Sequence, residues 1–197
     1  MLARVHSGAI AGLDGYVVQV EVDYSPGLPR FDVVGLPDAA VQEARERVRY
    51  AIRNSGATFP MKRVVASLAP ADLKKAGPAY DLPIAIGILL STEQVSADID
   101  DTMFLGELSL DGSLRHTNGI LPLVSLAQEE GFKKVVVPEV DAKEAALIEG
   151  ITIVPVQTLR QLADWLRGEI PAPELQDDTS PAELPELAAY TDLCNIK

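Results

Sequence analysis

Apolar and polar residues alternate with a period of two over 16–23, Tyr-Val-Val-Gln-Val-Glu-Val-Asp, which predicts a strand with one face buried. A second short apolar run, Phe31-Asp-Val-Val34, follows the turn-forming Ser25-Pro-Gly-Leu-Pro29, and the two are expected to pair as a hairpin. Over 39–55 the period changes: Val41, Ala44, Val48, Ala51 and Ile52 fall on one helical stripe, with Asp38 as N-cap and Gly56 just past the end. A strand is predicted over 64–68. A buried helix follows over 82–90, tolerant of Pro83 because an amide in the first turn has no helical partner, and Asp81 is its expected cap.

The second half keeps alternating. Residues 102–110, the turn Asp111-Gly112 and residues 113–115 read as strand, turn and returning strand, since Asp-Gly favours a tight hairpin turn. Helix 120–130, strand 133–138, helix 142–148, strand 152–156 and helix 158–167 then predict a parallel strand pair with a right-handed crossover. The fold class is α/β with a mixed sheet and packed helices. Gly8, Gly12 and Gly15 lack the spacing of a dinucleotide fingerprint and read as a bend between strands.

Composition narrows the class. With 197 residues, 47% hydrophobic and 23% charged, the chain is long enough for one domain with a sizeable core. Its longest purely apolar run, 84–90, is far short of a bilayer span, and the opening residues lack a signal peptide's basic and apolar regions, so a cytoplasmic protein without membrane contact is expected. Cys194 is alone, and with only His6 and His116 beside it no zinc-ligand spacing exists; neither metal nor disulfide is expected. Each histidine is isolated in sequence and reads as a surface or packing residue. Asp98-Ile-Asp-Asp101 lacks the rest of a calcium loop and reads as a turn.

The net charge of −12 is unevenly spread. Residues 168–197 hold seven acids and one base along with Pro171, Pro173, Pro181 and Pro185, a mix that leaves no continuous apolar face. A globular domain over 1–167 and an acidic, proline-rich linker over 168–197 are therefore expected.

Several segments then converge. Val20-Glu-Val-Asp23, Gly27-Leu-Pro29, Val34-Gly-Leu-Pro-Asp38, Glu43-Ala-Arg-Glu-Arg-Val-Arg49, Leu68-Ala-Pro-Ala-Asp-Leu-Lys-Lys75 and Asp81-Leu-Pro-Ile-Ala85 closely resemble the N-terminal, ChlI-type domain of the Mg-chelatase-like AAA+ ATPases of the ComM/YifB family. The resemblance covers residues 1 to about 167. It implies a ribosomal protein S5 domain 2-like fold, shared with the Lon peptidase domain and the RadA C-terminal domain. It implies also that the domain precedes a AAA+ motor that uses ATP and Mg²⁺. ComM-type members form hexameric helicases that promote branch migration in natural transformation, so a homo-oligomeric parent and contact with DNA are implied as well. Thr191-Asp-Leu-Cys-Asn-Ile-Lys197 is similar to the start of that motor, and the chain is expected to be the front piece of a longer protein. No Gly-Lys dipeptide occurs, so the Walker phosphate loop is absent and no cofactor is expected in these residues.

The Lon resemblance also locates a lost active site. It places the Lon serine at Ala79, between Pro78 and Tyr80, and the Lon lysine at Leu121 in Asn118-Gly-Ile-Leu121. A serine nucleophile needs a lysine base and neither is here, so no catalysis is expected from this chain. Tyr80 is expected to fill the vacated space.

Binding chemistry remains. Arg45, Arg49 and Arg53 recur every four residues on one helical stripe, and Arg47, Lys62, Arg63, Lys74 and Lys75 lie nearby in sequence; the stripe with Lys62, Arg63, Lys74 and Lys75 supplies the candidate DNA-binding residues. The competing reading has Glu43 and Glu46 neutralise part of the helix, leaving the arginines as a solvated face. An aromatic content of 5% argues against a base-stacking platform. Two functions from different classes follow: a non-catalytic assembly and DNA-contacting domain of a branch-migration ATPase, or a degenerate peptidase-like module that binds peptides or partner proteins in the old cleft.

Overall fold

The computed structural model describes residues 1–11, 14–72, 75 and 78–175. They build one seven-stranded mixed sheet in the order β3-β4-β2-β1-β5-β8-β9, with helices on both faces and a separate two-stranded ribbon, β6-β7. The strands are β1 (Ala3–Ala11), β2 (Asp14–Ser25), β3 (Arg30–Val34), β4 (Arg63–Ala69), β5 (Thr102–Phe104), β6 (Glu107–Leu108), β7 (Leu114–Arg115), β8 (Lys134–Pro138) and β9 (Thr152–Val156). The helices are α1 (Ala39–Asn54), α2 (Asp81–Ser91), α3 (Ile120–Glu129), α4 (Ala142–Ala145) and α5 (Leu159–Leu166). Four of the six neighbour pairings are parallel; only β1-β2 and β2-β4 are antiparallel. Strands β8 and β9 form the expected parallel pair.

Alternating side chains divide the core. On β1 and β2, Val5, Val18, Val20 and Val22 face α1 and α2. Gly87 of α2 lies so close to β2 that a Cβ there would stand 2.5 Å from a Val22 methyl. The even-numbered side of β1 faces α3, whose Leu123 would meet a Cβ on Gly8 at 2.8 Å. Strand β8 is covered on both faces, with Val136 in the first layer and Val135 and Val137 in the second, which is why it reads as an unbroken apolar run.

Helix α1 matches its sequence signals. Asp38 accepts the Val41 N–H at 2.8 Å as N-cap, the five stripe residues are buried, and Gly56 past the end has φ +83. Other expectations are corrected. Strands β2 and β3 do not pair as a hairpin: β4 lies between them, antiparallel to β2 and parallel to β3. The connection from 26 to 29 holds two prolines and spans one strand instead of closing a tight turn. The stretch 102–110 is not one strand, because the chain leaves the sheet at Leu105 and Gly106 to dock on α2, where the Leu82 N–H donates to the Gly106 carbonyl at 3.1 Å. Asp81 is not the N-cap of α2. Tyr80 holds that position and Asp81 lies in the first turn with its side chain turned inward. The helix predicted over 142–148 shortens to α4. Strand β1 pairs along its whole length with β2, although its weak alternation gave it no separate signal. Among the described residues no helix is long and apolar enough to cross a membrane. Of the expected linker, residues 176–197 lie outside the described part.

Candidate functional site

Two regions carry the candidate chemistry. The first lies where β1 and β5, which run parallel, both end. Helices α2 and α3 cover opposite faces of the sheet, and their N-termini meet that same end: α2 docks on Gly106 just past β5, and α3 begins after Gly119, where a Cβ would stand 2.6 Å from Ile10 near the end of β1. Ala79 sits half-buried in a single 3₁₀ turn (Pro78–Tyr80) before α2, its carbonyl accepting the Gly106 N–H at 3.4 Å. Leu121, also half-buried, is in the first turn of α3. A methyl and an isobutyl group therefore occupy the two positions, and neither can attack a carbonyl or accept a proton.

Behind Ala79 the polar groups are turned inward and satisfied. Asp81 is fully buried and binds Arg47 of α1 through two contacts, Nε to Oδ2 at 2.7 Å and Nη2 to Oδ1 at 3.1 Å, while the Leu108 N–H donates to Oδ2 at 3.2 Å. Burial pushes the Asp81 carboxyl up to about 6; Arg47 and the Leu108 N–H pull against it without prevailing. Arg47 rises in turn, chiefly from its hydrogen bond to Asp81. Tyr80 is buried in the core beside this pair, and burial pushes its phenol up to about 12.

His116 is isolated in sequence but not in space. Its Nδ1 meets Asp141, a buried carboxylate that also accepts the Thr117 N–H at 2.8 Å, and this contact raises the imidazole pKa. His6 is half-buried against Phe132, with ring centroids 5.2 Å apart, and burial lowers its pKa. It is a packing residue. Among the described residues no cluster of His, Cys, Asp or Glu could hold a metal ion. The Asp98–Asp101 segment turns on the Asp98 side chain, which accepts the Asp100 N–H at 3.2 Å.

The second region is the outer side of α1 with the edge of the sheet. Because β3 and β4 run parallel in register, Arg30 stands beside Arg63 at their starts, and α1 packs across the same edge. Arg45, Arg49 and Arg53 thus gather with Lys62, Arg63 and Arg30 along one side. Arg49 lies 5.6 Å over the ring of Phe59, and Lys62 lies 4.5 Å over that of Tyr24. Among the described residues the competing neutralisation of the helix is met in part: Glu43 pairs with Arg47 at 4.0 Å, and no carboxylate pairs with Arg45, Arg49 or Arg53.

One candidate leaves the set. Lys75 is fully buried, its ammonium donating to the Pro70 carbonyl and its backbone paired with Leu36 and Asp38, so it cannot reach a ligand on the surface. Burial also lowers its pKa. Lys74 lies outside the described residues. Arg30 is the addition, and its signal was the pairing of β3 with β4, which places residue 30 beside residue 63.

Comparison with known proteins accords with this picture. The family model for subunit ChlI of Mg-chelatase matches residues 20–141. An uncharacterised protein of Mycobacterium tuberculosis is 43% identical over 190 residues, 95% of this chain and 38% of that protein. Competence protein ComM of Haemophilus influenzae is 40% identical over 169 residues, 85% of this chain and 33% of its own length. The uncharacterised protein YifB of Escherichia coli is 41% identical over the same extent. A more distant likeness reaches Lon protease 2 of Bacillus subtilis, 33% identical over 91 residues, 45% of this chain and 16% of that protease. The chain thus spans between about a third and two fifths of the length of the first three relatives.

Proposed function

The chain belongs to the family of Mg-chelatase subunit ChlI, and from that membership we propose that it is the non-catalytic N-terminal domain of a ComM-type AAA+ ATPase, one that contributes to assembly and touches DNA. The observation that carries the reading is the row of cations on α1 that pair with no carboxylate among the described residues, joined by Lys62 and Arg63, on a protein whose net charge is −12. A polyanion is the ligand that such a row selects, because phosphate contact needs clustered arginine and lysine and no base-reading motif. ATP and Mg²⁺ belong to the motor outside these residues, where hydrolysis would drive a hexamer along DNA.

Absence of catalysis in this domain is part of the proposal. Ala79→Ser restores a hydroxyl but no base, and the variant should neither cleave casein nor react with a fluorophosphonate; stoichiometric labelling of the new hydroxyl would overturn the assignment. The likeness to Lon protease 2 favours one second reading, a peptidase-like module that binds a peptide in the old cleft without cutting it. The experiment that separates the two is the triple replacement of Arg45, Arg49 and Arg53 by glutamine in the assembled ATPase. DNA binding should weaken alike on all sequences, with the salt dependence falling by roughly 0.9 log unit for each duplex phosphate no longer neutralised. Intact hexamers with an unchanged salt slope would leave only the peptide-binding reading.

A further inference from the structure

Within the basic side, one hollow is built unlike the rest. It measures about 400 Å³ and lies between the edge strand β3, the start of β4 and the first half of α1. Arginines far apart in sequence reach it from all three elements: Arg30, Arg45 and Arg63. A single carboxylate, Asp32, organises two of them. It takes Arg30 Nε at 2.6 Å and lies 3.8 Å from Arg63 Nη2, with only 16% of its side chain exposed. On the opposite wall the Arg45 Nε donates to the Gln42 carbonyl at 3.0 Å, and Gln42 reaches across to the Val33 carbonyl on the unpaired edge of β3 at 3.4 Å. The contacts of Arg30 and Arg45 use Nε and leave their paired Nη groups open, while Arg63 meets Asp32 only through Nη2 at 3.8 Å. Three positive charges face one negative, so the hollow is short of an anion.

We propose that this hollow is a phosphodiester site, in which Arg30, Arg45 and Arg63 grip one backbone phosphate of a nucleic-acid strand. The proposal rests on the DNA-contacting reading of the domain and assigns it a specific anchor. Guanidinium forks match the paired oxygens of a phosphate, and carbonyl and carboxylate contacts that fix their tilt lower the ordering entropy of binding. A nucleic acid fits better than an acidic side chain because the cations do not stop at the hollow. Arg49 and Arg53 continue from Arg45 along α1 at one residue per turn, about 6 Å apart, and a repeating anion can use each in succession.

The test uses the 197-residue chain. Arginine Nε–H NMR signals are followed during titration with a short oligothymidylate, with inorganic phosphate and with an oligoglutamate peptide, and oligothymidylate affinity is measured across salt. The oligothymidylate should shift Arg30, Arg45 and Arg63 at lower concentration than either other probe. Arg45→Gln and Arg63→Gln should each weaken it about tenfold, and because the arginines share one phosphate it is the double replacement that should flatten the salt slope by roughly 0.7. Arg45→Lys, which keeps the charge and removes the fork, should fall in between. Loss of binding in Arg49→Gln, Arg53→Gln and Lys62→Gln with Arg45→Gln and Arg63→Gln unaffected would overturn the hollow and leave the broader DNA contact standing. Unchanged binding in all five would overturn both. Equal affinity for phosphate or oligoglutamate at the same signals would make this a general anion site and overturn the nucleic-acid assignment.

Discussion

Helix α1 carries four arginines within nine residues, and they meet opposite fates. Arg47 turns inward and closes on Asp81 behind Ala79; Arg45, Arg49 and Arg53 turn outward and pair with no carboxylate among the described residues. The inward arginine serves structure, since Arg47, Asp81 and the Leu108 N–H satisfy one another. The outward ones keep guanidinium N–H groups open, although Arg45 gives its Nε–H to the Gln42 carbonyl. Open donors on a surface and satisfied donors in an interior make different demands on the fold, and each can be tested by removing its charges.

The largest effect belongs to the interior pair. Asp81→Ala removes the buried partner of the Arg47 guanidinium and orphans the Leu108 N–H, so unfolding in urea should show a loss of about 3 kcal/mol. Asp81→Asn should be milder because its carbonyl oxygen still accepts. Because burial raises the folded Asp81 pKa from 3.8 to about 6, the fold tolerates the protonated acid better than the ion. Stability should therefore fall as pH rises from about 4 to about 6, and Asp81→Asn should remove that slope. A loss near zero for Asp81→Ala would mean that the interior pair is as dispensable as the outer face.

The cap of the same helix comes next. Asp38→Ala removes the acceptor of the Val41 N–H and should cost about 1 kcal/mol by the same measurement, with the basic side still folded. Its legibility contrasts with that of Asp81. Both aspartates precede an apolar helix, and sequence spacing reads both as caps, because capping is a local matter of three or four residues. Asp81 is diverted by Arg47, thirty-four positions away, and a local pattern cannot register a partner at that distance. The same limit explains the hairpin that does not form: β2 and β3 are neighbours in sequence, and what separates them is β4, which arrives about thirty residues later. Helix stripes, the Asp-Gly turn and the β8-β9 pair were readable because periodicity and turn chemistry decide them. Arg30 joined the site, and Lys75 left it, for reasons of sheet order and burial that no periodicity carries.

A smaller effect is expected at His116. Asp141, helped by Asn118 and Glu144, raises the imidazole pKa, so the protonated form stabilises the fold. That contribution is fully present below the ordinary value of 6.5 and is lost as pH rises through the folded value, so the melting temperature should decline above pH 6.5. The ring is 59% exposed, and solvent screening keeps the decline shallow. His116→Gln should flatten the profile in that window and leave the Asp81 slope below it untouched. An unchanged profile would mean that the His116–Asp141 contact adds nothing to stability.

The smallest effect is the one expected of the outer arginines on stability, and it is the sharpest test of the comparison. Replacing Arg45, Arg49 and Arg53 by glutamine removes two like-charge pairs at four-residue spacing, a relief of about 0.2–0.5 kcal/mol each. It also removes the contact of Arg49 with Phe59, worth about 0.5–1 kcal/mol at an exposed position. The two nearly cancel, so the triple variant should unfold within about 0.5 kcal/mol of the parent. The relief is electrostatic and is screened by salt, so the variant's relative stability should be highest at low ionic strength and drift down as salt is added. A loss comparable to that of Asp81→Ala would show that the outer arginines hold the fold together, and weakened DNA binding in the same variant would then report unfolding instead of contact.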